Sequence, residues 1–95
     1  MIDTEVLKRR HGFDFMGNFD ENGITRVKRG FDWGFFNKDE NLVTSLCYQY
    51  VYSFNKGYAI VQEDNKWGLI DLNGIHVLPC EYSLEEVRVQ QDKLN

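Results

Sequence analysis

A tryptophan–glycine pair occurs twice in this 95-residue chain, at Trp33-Gly34 and Trp67-Gly68, 34 residues apart. The neighbours repeat as well. Laid over one another at that offset, residues 23–50 and 57–84 share Gly23/Gly57, Val27/Val61, Trp33/Trp67, Gly34/Gly68, Val43/Val77 and Tyr48/Tyr82. Both tryptophans of the chain belong to the set, which chance explains poorly. A fixed period of this size is the mark of stacked supersecondary units. It constrains the architecture strongly and the chemistry hardly at all.

The second copy reads most clearly. Tyr58 to Gln62 is apolar and β-branched enough for a strand, Glu63 to Lys66 reads as a turn, and Trp67 to Asp71 is a second strand. Asn73-Gly74 predicts a tight type I′ hairpin. Ile75 to Leu78 is then the returning strand, which Pro79 should end by removing a ladder donor. The first copy follows the same plan, with strands over Ile24–Lys28, Trp33–Asn37 and Leu42–Ser45. Asp39-Glu40 stands where the second copy has Asn73-Gly74, so a longer turn or another type is expected there. Upstream of each copy lies an aromatic run, Phe13 to Phe19 and Tyr48 to Phe54, alternating as a half-buried strand does. Aligned on Phe13/Tyr48, one extra residue intervenes before Gly23.

The ends read differently. Asp3 to Arg10 suits one or two helical turns capped by Asp3 or Thr4. Ser83-Leu84-Glu85-Glu86 has capping-box spacing, with Leu84, Val87 and Leu94 on one helix face. A strand over Glu86–Gln90 competes with that helix. The sequence thus predicts a mainly β fold: repeated antiparallel hairpin or three-stranded units stacked in a small sheet or solenoid-like array, with short terminal helices as an option. One domain spans residues 1–95, with repeat 1 at about 13–47, repeat 2 at about 48–84 and a C-terminal tail at 85–95.

Fourteen aromatic residues offset the small size of the core. The net charge of −4 disfavours non-specific nucleic-acid binding. Residues 1–38 carry +1 and residues 39–95 carry −5, so the molecule has two unlike faces. Cys47 and Cys80 make neither a disulfide framework nor a metal spacing. No signal peptide and no membrane span is visible, so a cytoplasmic setting is expected. Met1 reads as an initiator and favours a complete small protein.

With Gly57, Ala59, Val61, Lys66-Trp67-Gly68, Ile70-Asp71, Gly74, Val77, Pro79 and Tyr82, the second copy resembles the WG-repeat (KWG-repeat) family, and the likeness extends over roughly residues 13–84. The first copy keeps Gly23, Val27, Trp33-Gly34, Val43 and Tyr48 but departs at Thr25, Asp32, Asn37, Glu40 and Ser45. The resemblance implies a β-rich binding or scaffolding module, found mostly in bacterial proteins. It carries over no catalytic residue and no cofactor.

Trp33, Gly34, Trp67 and Gly68 are read as structural, the glycine letting the neighbouring ring lie over backbone. Arg26, Lys28, Arg29 and Phe31 are the sharper candidates, because an exposed phenylalanine beside three cations suits an acidic partner, or a nucleic acid through stacking. A solvated strand face with Phe31 folded back is the plainer reading. Tyr50 and Tyr52 suit an outward aromatic ladder for a partner, with cross-strand aromatic packing as the plainer reading. His76 and Cys80 lie four apart but lack an orienting third group, so no catalytic site, metal site or cofactor is expected. The leading expectation is a non-enzymatic protein-binding domain. Its end units are poorly covered, which favours a homodimer or a constitutive complex. A stand-alone inhibitor of the immunity or phage counter-defence type is the specific version, with Glu63, Asp64, Glu81, Glu85 and Glu86 meeting a basic channel. The alternative is a nucleic-acid-binding β module using the basic aromatic turn.

Overall fold

The computed structural model describes residues 3–94, in which the same antiparallel unit is built twice between two helices. In chain order the elements are α1 (Thr4–His11), β1 (Phe15–Met16), β2 (Ile24–Arg29), β3 (Asp32–Asn37), β4 (Tyr50–Val51), β5 (Tyr58–Glu63), β6 (Lys66–Asp71), β7 (His76–Tyr82) and α2 (Leu84–Leu94). Among the described residues they form two antiparallel sheets, β1-β2-β3 and β4-β5-β6-β7, with no closed barrel. The fold is mainly β, as the repeat predicts. Among the described residues no helix is long and apolar enough to cross a membrane.

The pairing register carries the period. β2 and β3 pair from Ile24 with Asn37 to Arg29 with Asp32, and β5 and β6 from Tyr58 with Asp71 to Glu63 with Lys66. Every partner is displaced by 34. The outer strands are displaced by 35 instead: Phe15 pairs with Lys28, and Tyr50 with Gln62. The extra residue is absorbed in one turn. In the first repeat Asp20 Oδ1 accepts from the amides of Asn22 and Ile24 across a loop whose Gly23 has φ 74°. The second repeat makes the same link in two residues, Lys56 and Gly57, both at positive φ as a type I′ turn requires.

Three apolar layers hold the stack. Ile24, Trp33 and Phe35 of the first sheet meet Val51, Ala59, Val61 and Ile70 of the second. The other face of the first sheet buries Val27 and Phe36 under Phe13, Met16, Phe19 and Leu46, and the His11 ring of α1 meets Phe36 edge-on at 4.7 Å. The other face of the second sheet buries Ile60 and Leu69 under Val87 of α2. Both helices are capped as predicted. Asp3 accepts from the Glu5 amide at 3.0 Å. Ser83 and Glu86 exchange reciprocal bonds at 3.2 and 3.3 Å, so the C-terminal segment is a helix and not a strand. Leu94 is exposed, and Gln91 takes the buried place one turn after Val87. α2 thus covers the outer face of the second sheet, while that of the first is covered mainly by Phe13, Phe19 and Leu46 with the His11 ring of α1.

Other expectations are corrected by local geometry. The glycines after the tryptophans make room for backbone, not for a ring: a Cβ on Gly68 would lie 2.7 Å from the Leu78 carbonyl oxygen, and one on Gly34 2.9 Å from that of Ser45. The loop at Asn73-Gly74 is not type I′, since within it only Gly74 has positive φ; Asp71 Oδ1 bonds the amides of Asn73 and Ile75. The loop at Asp39-Glu40 is the same turn and is no longer. Asn37 Oδ1 bonds the amides of Asp39 and Asn41, and Glu40 takes the positive φ of 62°. Pro79 does not end its strand. It lies inside β7, at the sheet edge, where the register with β6 shifts and a missing donor is tolerated. Leu42–Ser45 is not a strand: the isolated bridge Phe36–Leu42 and the bonds from the Val43 amide to the Phe35 carbonyl and from the Phe35 amide to the Thr44 hydroxyl hold it to β3 without a continuous ladder.

Candidate functional site

The edge strands β1 and β4 place Phe15 and Tyr50 beside Trp33, because Phe15, Lys28 and Trp33 lie on one face of the first sheet through their register. Ring follows ring from there. Phe15 to Trp33 is 5.5 Å between centroids, Trp33 to Tyr50 5.4 Å, Tyr50 to Tyr52 5.1 Å and Tyr52 to Trp67 5.7 Å. The contacts are edge-to-face or tilted, the favourable arrangements for aromatic pairs. The five rings form a ridge that climbs from one sheet to the next around β4. Phe15 is exposed and the other four are half-buried.

Three cations lie along this ridge. The Arg26 guanidinium sits 5.9 Å from the Phe15 centroid, 5.4 Å from Trp33 and 5.8 Å from Tyr50. Its Nη1 donates to the Tyr50 hydroxyl and to the Val51 carbonyl, both at 3.1 Å. Lys28 Nζ is 5.6 Å from Trp33, and the Arg88 guanidinium of α2 is 5.5 Å from Tyr52. Among the described residues none of the three has a carboxylate within the 4.0 Å of an ion pair.

The predicted candidates therefore divide. Arg26, Lys28, Tyr50 and Tyr52 come together, joined by Trp33 and Trp67. Arg29 does not join them: it donates to the carbonyls of His11 and Gly12 and lies 5.3 Å from the Phe13 ring, pinning the end of α1. Phe31 sits at the β2–β3 tip, 90% exposed, and does not fold back. His76 and Cys80 do not face each other. His76 Nε2 lies 3.1 Å from the Tyr48 hydroxyl, whereas the Cys80 thiol points to the Val61 carbonyl at 3.8 Å, and burial with the nearby Glu63 carboxylate pushes it up to about 11. Phe15 and Arg88 are site residues that single-site reading misses. Phe15 is visible through its match to Tyr50 at offset 35, but nothing local marks Arg88.

The WG-containing repeat family matches residues 33–67. Residues 33–67 match one WG repeat. The matched span opens on Trp33 and closes on Trp67, one full period cut in the middle of the hairpins. It holds β4, β5 and all but the first residue of β3, and four of the five ridge rings: Trp33, Tyr50, Tyr52 and Trp67. The WG tryptophans are thus the two fixed points between which the tyrosines are strung. No curated protein and no solved structure matches the chain.

Proposed function

We propose that this chain is a non-enzymatic protein-binding module of the WG-repeat type, and that its partner lies along the aromatic–cationic ridge. The observation that carries this reading is the unbroken line of five accessible or half-buried rings with three cations that have no carboxylate partner among the described residues. Tryptophan, tyrosine and arginine are the residue types that dominate binding energy at protein interfaces. A small helix-capped stack that presents one such line suits occlusion of a partner surface, the mode of a stand-alone inhibitor. The nucleic-acid alternative draws less support. Stacked bases need open ring faces, whereas Arg26, Lys28 and Arg88 lie over these rings and Arg29 is diverted to α1.

Site-specific photocrosslinking tests the reading. A photoreactive phenylalanine analogue at Phe15, on the ridge, should give a discrete protein adduct in cells, and the same analogue at Leu94, off it, should not. Adducts to nucleic acid only, or protein adducts equally strong from Leu94, would overturn it.

A further inference from the structure

We infer that the ridge recognises an extended acidic segment of its partner, a strand-like stretch in which carboxylates alternate with apolar or aromatic side chains. The inference rests on the protein-binding reading above and adds the chemistry of what is bound. Charge is the first argument. The chain is acidic overall, with a net charge of −4, yet the ridge gathers Arg26, Lys28 and Arg88 without an ion pair among the described residues. Cation–π contacts offset part of their exposure but leave the guanidinium edges able to take a carboxylate, for which a planar fork is well matched.

Shape is the second argument. The rings advance in steps of 5.1 to 5.7 Å. Side chains on one face of an extended chain recur every ~6.6 Å, close to that step. Two clefts flank Ser53 beside the line. One, of about 150 Å³, is lined by Arg26, Thr25, Ser53 and Phe54, with Asp20 at its wall; the other is lined by Arg88, Tyr52, Ser53 and Asn55, with Asp92. Each cleft holds one arginine that also lies against a tyrosine of the run Tyr50–Tyr52, Arg26 against Tyr50 and Arg88 against Tyr52. Asp20 is already engaged by the amides of Asn22 and Ile24.

The mode of docking follows from Arg26. Edge strand β4 would ordinarily invite a partner strand through its free main-chain groups. Arg26 Nη1 already holds the Val51 carbonyl in that strand. The partner is therefore read by side chains on the ridge and not by strand addition at β4.

Fluorescence polarisation with the full chain tests this. The probe is a labelled peptide of about eight alternating Glu and Tyr residues, which spans about 26 Å when extended. Controls of equal length are an alternating Lys–Tyr peptide and oligothymidylate. The Glu–Tyr peptide should bind saturably and weaken as salt rises to about 0.15 M. Lys28→Gln and Arg88→Gln should each reduce affinity about three- to fivefold, the range for one exposed charge pair, with the unfolding midpoint unchanged. Arg26→Met should abolish binding. Because Arg26 also ties the two repeats together, Lys28 and Arg88 carry the decision if that variant unfolds. No saturable binding of the Glu–Tyr peptide, equal binding of the Lys–Tyr peptide, or tighter binding of oligothymidylate would overturn the inference. A protein adduct from Phe15 with no Glu–Tyr binding would sink the acidic-segment inference alone and leave the protein-binding reading standing.

Discussion

The first repeat closes its third-segment turn on Glu40, and the second closes the same turn on Gly74, at an equivalent position and with nearly the same side-chain-to-amide bonds. The first then leaves isolated bridges and scattered hydrogen bonds where the second has the seven-residue strand β7. The reason lies in what each turn touches. A Cβ on Gly74 would sit 2.5 Å from the Val43 carbonyl oxygen, because this turn packs on the first repeat. Glu40 faces α1 instead, accepting from Arg10 Nη1 at 2.7 Å and lying 3.0 Å from His11 Nε2. Two copies of one hairpin have thus been put to different uses. One turn is a tight joint between repeats, and the other is a tether for a helix. Backbone at positive φ suits glycine in both, but only crowding makes glycine necessary in one.

The largest expected effect concerns the layer between the repeats. Phe35 and Leu69 hold equivalent places, Phe35 between the sheets and Leu69 under α2. Phe35→Ala should destabilise by about 3–5 kcal/mol, more than Leu69→Ala, measured by denaturant unfolding. A larger loss at Leu69 would mean that the C-terminal cap, and not the joint, dominates stability. Next come the crowded glycines. Gly68→Ala and Gly74→Asn should each destabilise by about 1–3 kcal/mol through overpacking against fixed carbonyls, whereas Glu40→Gly should leave sheet pairing intact. Asparagine tolerates positive φ, so its effect at 74 isolates the clash with Val43 from backbone strain. If Gly74→Asn unfolds no more easily than the parent, the distinction between joint and tether breaks.

The tether should respond to pH. Hydrogen bonds from His11 and Arg10 hold the Glu40 carboxyl below its usual 4.5. A carboxyl lowered on folding stabilises above its unfolded value, and that contribution disappears as pH falls through the lowered value. Amide resonances of α1 should therefore shift and lose protection below about pH 4.5 while those of β5 and β6 stay fixed, and Glu40→Gln should flatten the response. The smallest effect contrasts the two third segments. Cys47 is exposed in the irregular one, and Cys80 lies partly buried in β7 with its thiol raised to about 11. At pH 8 a thiol reagent should label Cys47 first and Cys80 about tenfold more slowly or less. Equal rates would show that β7 frays as readily as the 42–48 segment.

The hairpins were legible because their signals are local. The β-branched runs and the Ser83–Glu86 box act over four or five residues and lie where expected. The bridges at 42–48 were not, because strand or loop there depends on how closely the chain crosses Gly34, a contact between residues about ten apart. Likewise the turn at Glu40 needs no glycine, because a residue in open surroundings can take the positive φ itself. Half of the candidate cluster was legible from alternation, which put Arg26 and Lys28 on one strand face. The fate of Arg29 was not, since carbonyls at the end of α1 capture it. Arg88 reaches Tyr52 only because α2 folds back over the second sheet.

The helices at the two ends also set a rule for growth. A further 34-residue block inserted between the sheets would find Ile24 and Phe35 on one side and Ala59, Val61 and Ile70 on the other, the same apolar pair of surfaces that now meet each other. A block appended to either terminus would meet a helix. Each copy inserted there would extend the ridge by one more tryptophan.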